Sequence, residues 1–154
     1  MNILQIVPSF EVGGAETMCV GLCLELRKLG HSVTAVSLSA AQSKLTRDLT
    51  EAGVELRLLG KGPGMDLSCV SRLRALIREV RPQVIHTHLH ALKYAALALG
   101  GQKIPILHTV HNQAEAEAVK LDQLIARYLF HSGKATPVAL SGEIQASIVA
   151  LYGL

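Results

Sequence analysis

The sequence predicts an α/β fold: a three-layer Rossmann-like domain with a mainly parallel six-stranded sheet, order 3-2-1-4-5-6, and helices on both faces. Short apolar runs of strand length alternate with longer stretches of helical apolar spacing along the whole chain. Runs such as Ile3–Val7 and Val33–Leu38 are largely apolar at consecutive positions, as expected of strands covered on both sides. The first two runs flank a glycine pair and a helical stretch, a βαβ unit whose right-handed crossover makes its strands parallel.

In chain order, Ile3–Val7 is the first strand, and Gly13–Gly14 precedes a helix over Ala15–Leu29. Met18, Cys19, Leu22, Leu26 and Leu29 recur there at helical spacing, and Gly30 stands where a helix ends in a left-handed residue. Val33–Leu38 is the second strand. Ser43 caps a short helix to about Ala52, Gly53 ends it, and Val54–Leu59 is the third strand. Residues 60–64 read as a flexible loop, Asp66 caps the helix Leu67–Val80, and Pro82 stops it. Gln83–Thr87 is the fourth strand. Ala91–Leu99, apolar nearly all round, is a buried helix ending at Gly100–Gly101. Ile106–Val110 is the fifth strand, Asn112–Lys120 a polar loop and Leu121–Phe130 a helix. Thr136–Leu140 is the sixth strand, with Pro137 tolerable near its start or at a sheet edge, and Ser141 caps a last helix, Glu143–Leu151.

The 154 residues fit one domain, and with 49% hydrophobic but only 3% aromatic residues its core must be aliphatic. No apolar stretch reaches the ~18–20 residues that span a bilayer. The first strand begins directly after Met1, so no signal peptide is expected and the expected compartment is the cytoplasm. Cys19, Cys23 and Cys69 form an odd, unpatterned set that reads as small core residues. A net charge of +3 and the lack of a basic run with interleaved aromatics argue against a nucleic-acid surface. Arg74 and Arg78 on the helix Leu67–Val80, followed by Arg81, form a basic stripe; it reads as a solvated face, or as a contact with a phosphorylated acceptor or, peripherally, with an anionic membrane at its inner face.

Two groups of residues carry chemistry. At the start of the first helix, free N–H groups and the helix dipole make a partly positive end, and Gly13 and Gly14 let a ligand approach the backbone. The arrangement suits a phosphate; equally, a glycine pair simply permits a tight turn. The loop lacks G-x-G-x-x-G, and Ser37 and Ser39 stand where a dinucleotide site needs an acid, which argues against NAD. The second group is histidine: five of seven fall between positions 86 and 111. Strand alternation puts His86, His88 and His90 on one face, with His86 deepest as a hydrogen-bonded core residue and His88 and His90 at the carboxyl edge. His111 ends the neighbouring strand at that edge, while His108 points to the other face and packs under a helix. Converging imidazoles can bind zinc, but no carboxylate or cysteine lies close in sequence to complete a shell, so no metal is expected.

Several motifs, in order, resemble the N-terminal domain of a GT-B-fold, retaining group 1 (family 4) glycosyltransferase. They are Gly13-Gly14-Ala15-Glu16 after the first strand, the helix end and strand start Leu29-Gly30-His31-Ser32-Val33, and the strand Val84-Ile85-His86-Thr87-His88. The strand end Thr109-Val110-His111-Asn112 and the closing segment from Val138-Ala139-Leu140-Ser141 through Leu151-Tyr152-Gly153 complete the set. His108 departs from the apolar residue usual in the family.

The resemblance implies the acceptor-side half of a two-domain enzyme whose C-terminal donor-binding domain would follow Leu154. It implies transfer of a sugar from a nucleoside-diphosphate sugar to a sugar or lipid-linked acceptor hydroxyl, with retention and without a cofactor beyond the donor substrate. Gly13 and Gly14 would approach the donor phosphates and His111 would line the donor sugar at the reaction centre. His88, His90, Glu16 and Asn112 would lie in the cleft or on its acceptor side. Helix-start amides can stabilise charge on a leaving diphosphate, and acceptor groups favour a sugar of oxocarbenium character. A nucleotide- or phosphate-binding module without transferase activity, a histidine-rich metal site and a non-catalytic interaction domain are the competing readings.

Overall fold

A computed structural model describes residues 1–117 and 119–154. Six strands alternate with helices: β1 (Asn2–Val7), α1 (Gly14–Lys28), β2 (Ser32–Ser37), α2 (Lys44–Glu51), β3 (Glu55–Leu58), α3 (Leu67–Val80), β4 (Val84–His88), α4 (Leu92–Leu99), β5 (Ile106–Val110), α5 (Ala114–Glu117), α6 (Lys120–His131), β6 (Ala135–Ala139) and α7 (Gly142–Tyr152). All neighbouring strands pair parallel, in the order β3-β2-β1-β4-β5-β6. The order reverses between β1 and β4, so the loops after these two strands open a crevice at the carboxyl edge.

The two faces of the sheet are packed differently. Leu4, Ile6, Ile85, Ile106 and Val110 point into the larger core, closed by α3, α4, α6 and α7. Val7, Val33 and Ala35 point the other way, against Cys19, Val20 and Cys23 of α1 and Leu45 and Leu49 of α2. All three cysteines are free and buried. Hydrogen bonding to Cys23 and then burial push the Cys19 thiol up, so it stays protonated and inert.

The expected caps form. Ser43 accepts from Leu45 N at 3.0 Å while Thr46 Oγ1 accepts from Ser43 N at 2.9 Å, and Asp66 Oδ1 accepts from Cys69 N at 3.0 Å. Ser141 Oγ accepts from Ile144 N at 3.2 Å.

Three expectations change. Segment 60–64 is tied down rather than loose: the Asp66 carboxylate accepts from Gly62 N at 2.9 Å, and the Tyr94 hydroxyl accepts from Asp66 N and donates to Gly64 O, each at 3.2 Å. Within the expected loop Asn112–Lys120, Ala114–Glu117 make a short helix and residue 118 lies outside the described residues. Finally, β4 runs one residue past the expected Thr87 to His88, but strand alternation does not carry on to His90, because Leu89 takes a left-handed φ of 51° and opens a 3-10 turn, Leu89–Ala91, ahead of α4. That last departure rearranges the histidines.

Candidate active site at the carboxyl edge

The site is built on the face of the sheet that carries α1. Gln5 of β1 pairs in register with His86 of β4, and His88 of β4 with Thr109 of β5. Their polar side chains thus share one face, between the α1–α2 core and the carboxyl edge. His88 is the centre of the group. It is fully buried, its Nε2 is 3.0 Å from Gln5 Oε1, and its Nδ1 is 3.0 Å from His111 Nε2. His86 stacks beside it with ring centroids 4.3 Å apart and bonds Thr109 Oγ1 at 2.7 Å. His86 is therefore the hydrogen-bonded core residue expected, and its partner is a threonine on the next strand.

Electrostatics keep the group neutral. Burial, then the charge His111 would carry, lowers His86 to about 4. Burial and the neighbouring imidazoles hold His88 far below the ordinary histidine value. His111, half-buried, is lowered by burial and pulled back upward by the Glu16 carboxylate. The start of α1 and the end of β5 are close neighbours in the sheet layout. Both lie at the carboxyl edge, and β1 and β5 are separated by β4 alone, roughly 10 Å at ~4.8 Å per strand spacing.

At the helix start the two glycines differ. Gly13 is the N-cap, with φ −157° and no side-chain cap. A Cβ on Gly13 would run into Glu16 Oε2, whereas a Cβ on Gly14 meets nothing within 4 Å. Glu16 thus folds back over Gly13, as the third residue of a capping box does, while Gly14 opens to solvent. Glu16 also puts an acid in the first turn of α1, the charge type the start of a helix favours.

Two expected members behave otherwise. His88 does not line the edge; it lies beneath His111, out of reach of solvent. His90 leaves the common face altogether. The left-handed Leu89 swings it to the α6 side, where its Nδ1 stands 3.6 Å from Asp122 Oδ2 in a small crevice that His108 and Lys93 also line. Strand alternation failed there because the strand had already ended. His108 takes the opposite face as expected, its Nδ1 2.9 Å from Thr87 Oγ1 and its ring 6.2 Å from Phe130 of α6; burial lowers it to about 3. Asn112 follows His111 at the edge and is exposed. Among the described residues no group of three or more His, Cys, Asp or Glu is placed to hold a metal.

Gln5 and Thr109 were missed in the sequence. A signal existed for Gln5, the one polar residue inside the apolar run Ile3–Val7. A buried amide in a central strand needs a partner, and the partner lies 83 positions away.

The basic stripe on α3 is thinner than its spacing suggests. Arg74 turns inward and donates to Ala98 O at 3.1 Å and Leu97 O at 2.9 Å, satisfying carbonyls at the end of α4. Arg78 and Arg81 remain exposed. No helix among the described residues is long and apolar enough to cross a membrane.

Comparison with known proteins fits this architecture. A glycosyltransferase from Rickettsia africae ESF-5 superposes with a TM-score of 0.76 at 19% identity, over 99% of this chain and 40% of that one. Anabaena Alr3699/HepE in complex with UDP and glucose gives 0.79 at 17% identity, over 98% and 41%. The same protein in complex with UDP-glucose gives 0.79 at 18%, over 98% and 40%. At such identities the likeness establishes the fold, and the chain spans about 40% of the length of these structures. A search among curated proteins gives no sequence match. The family model for Glycosyltransferase Family 4, however, matches residues 12–154, nearly the whole chain from the glycine loop to the last helix. The chain therefore belongs to Glycosyltransferase Family 4, as an N-terminal domain of the GT-B type.

Proposed function

We propose that this domain is the acceptor-side half of a retaining glycosyltransferase. A donor-binding half outside these 154 residues completes the cleft, and together they move a sugar from a nucleoside diphosphate to a sugar or lipid-linked hydroxyl. The observation that carries the reading is the convergence, at one edge of the sheet, of an open helix start at Gly14 and an imidazole at His111 backed by a buried hydrogen-bonded partner.

Each residue has a task in that scheme. The Gly14 and Ala15 amides receive the donor diphosphate and stabilise the charge that builds on it as the sugar departs. Glu16 yields its place over Gly13 when the diphosphate arrives. His111 orients the sugar through a hydrogen bond and is not a nucleophile; held mainly neutral, it adds no positive charge beside an oxocarbenium-like centre. His88 stays below and fixes the ring of His111. Asn112 and the exposed His90 edge lie on the acceptor side. The reaction needs no cofactor beyond the donor substrate, and we place it in the cytoplasm. The binding of UDP and of UDP-glucose by Anabaena Alr3699/HepE supports a nucleotide-sugar donor for this fold.

The test uses a protein carrying both halves, assayed with nucleoside-diphosphate sugars and an acceptor panel, the product anomer being read by NMR. Transfer with retention, lost in His111→Ala but not in a variant of an exposed α3 residue, is the expected result. Sugar transfer by the 154-residue chain alone would overturn the half-enzyme reading.

A further inference from the structure

We propose that the outward face of α6 docks on an anionic lipid membrane. Helix α6 buries Ala126, Leu129 and Phe130 in the core. On its other side Leu121, Leu124 and Tyr128 are 65%, 65% and 60% exposed. Their spacing of three and four places the three large side chains on one stripe. Leu97 of α4, which lines the same groove as Tyr128, extends it at 46% exposed. Beside the stripe runs a groove of about 840 Å³ between α4 and α6, lined by Leu97, Ile104, Ile125 and Tyr128. One exposed leucine is ordinary on a protein surface; a contiguous apolar stripe beside an apolar groove is not.

The charges select the occupant. Lys120 and Arg127 are the exposed cations of α6, and Lys103 and Lys134 stand on the rim of the groove, whose lining among the described residues holds no acid. Asp122, the only acidic residue in α6, points inward, where Lys93 Nζ reaches its two oxygens at 2.9 and 3.0 Å. Just ahead of the helix, the backbone carbonyl of Glu115 accepts from Gln123 Nε2 at 3.3 Å. Lys134 Nζ sits 4.9 Å over the Tyr128 ring and 3.0 Å from its hydroxyl, an apolar ring with a polar, cationic rim. An outward arc of leucine, tyrosine, lysine and arginine to which α6 itself adds no acid is what a helix lying in a membrane interface presents. A second copy of the chain fits worse, since a two-fold contact would set these cations against themselves with no acid of α6 between them. The inference goes beyond the transfer reaction and does not depend on it.

The test is co-sedimentation of the 154-residue chain with phosphatidylcholine vesicles, with and without about 30% phosphatidylglycerol, at ~50 mM salt. The chain should bind the anionic vesicles and not the neutral ones, and high salt should weaken binding. Leu124→Asp and, separately, Lys120→Glu with Arg127→Glu should each weaken binding about tenfold or more with an unchanged melting temperature, since all three positions are exposed. Arg78→Glu with Arg81→Glu should bind as the unchanged chain does. No binding to anionic vesicles would overturn the proposal. So would loss of binding in the Arg78/Arg81 variant but not in Leu124→Asp, which would move the contact to α3. A dimer that Leu124→Asp abolishes, without vesicle binding, would make the face a protein interface instead.

Discussion

His88 Nδ1 lies 3.0 Å from His111 Nε2, joining two imidazoles 23 positions apart on adjacent strands. With Gln5 Oε1 accepting from His88 Nε2, the neutral ring of His88 must accept at Nδ1, and His111 Nε2 must therefore donate. One buried amide thereby sets the polarity of an imidazole at the edge. In a protein carrying both halves, His111→Ala should lower kcat/KM about 100-fold or more, the range expected when a transition-state hydrogen bond is removed. His88→Ala should reduce kcat more than it changes KM, because its target is the orientation of His111 and not substrate contact. Steady-state kinetics beside thermal melts separate the two effects. A normal kcat in a folded His88→Ala variant would deny His88 that role.

Gln5→Leu should destabilise the chain by about 1–3 kcal/mol, the range for stranding a buried donor such as the His88 Nε2–H. Denaturant titration measures it. Among the described residues Gln5 Nε2 is itself buried without a hydrogen-bond partner, so the loss should lie toward the lower end of that range.

The buried histidines predict an acid-sensitive fold. His86, His88 and His108 have folded values below the ~6.5 of an unfolded histidine, so the unfolded chain binds more protons in the window between. Stability then rises with pH through that window. It should be fully present above about pH 6.5 and fall as the pH drops, by up to roughly 2 kcal/mol per histidine between pH 6.5 and 5. Melting temperatures flat from pH 7 to about 5 would contradict the burial of these rings.

The two glycines should part company. Gly13→Ala puts a Cβ into Glu16 and should lower stability, and Glu16→Ala in the same chain should relieve it. Gly14→Ala meets no atom within 4 Å and sits in the first turn of α1, so stability should stay level or rise by about 0.5–1 kcal/mol. In the two-half protein the same Gly14→Ala should raise KM for the donor, because the added methyl stands where the diphosphate approaches. Melts and donor titrations on the same variants check both claims.

Tyr94→Phe removes the hydroxyl that bridges Asp66 N and Gly64 O, and should cost about 1–2 kcal/mol. Faster amide exchange through residues 60–66, with α4 still protected, would show that the loop is held by this contact.

Much of the fold was legible because its signals are local. Apolar runs, glycine stops and the caps Ser43, Asp66 and Ser141 recur at the ends of the elements, and the boundaries moved by only a residue or two. The strand order followed from the alternation of strand and helix with its handedness rule, which needs no side-chain detail. The histidines were legible only in part. His108 and His86 landed as expected, but His90 did not, because a left-handed Leu89 is not written in composition or period. Arg74 looked like a surface charge for the same reason, its carbonyl partners being 23 and 24 positions away on α4.

By itself, then, the sequence determined the parallel α/β sheet, the glycine-led helix at its carboxyl edge and the arrival of His111 at that edge, since each depends on periodicity and on contacts between neighbours in the chain. Only the tertiary structure decided that Gln5 and His88 stand behind His111, that Glu16 covers Gly13 while Gly14 stays open, and that α6 turns its one acid inward and its leucines out. Those outcomes turn on side-chain direction and on partners brought together across strands, where one residue leaving the extended conformation, as Leu89 does, sends the next to the other face of the sheet.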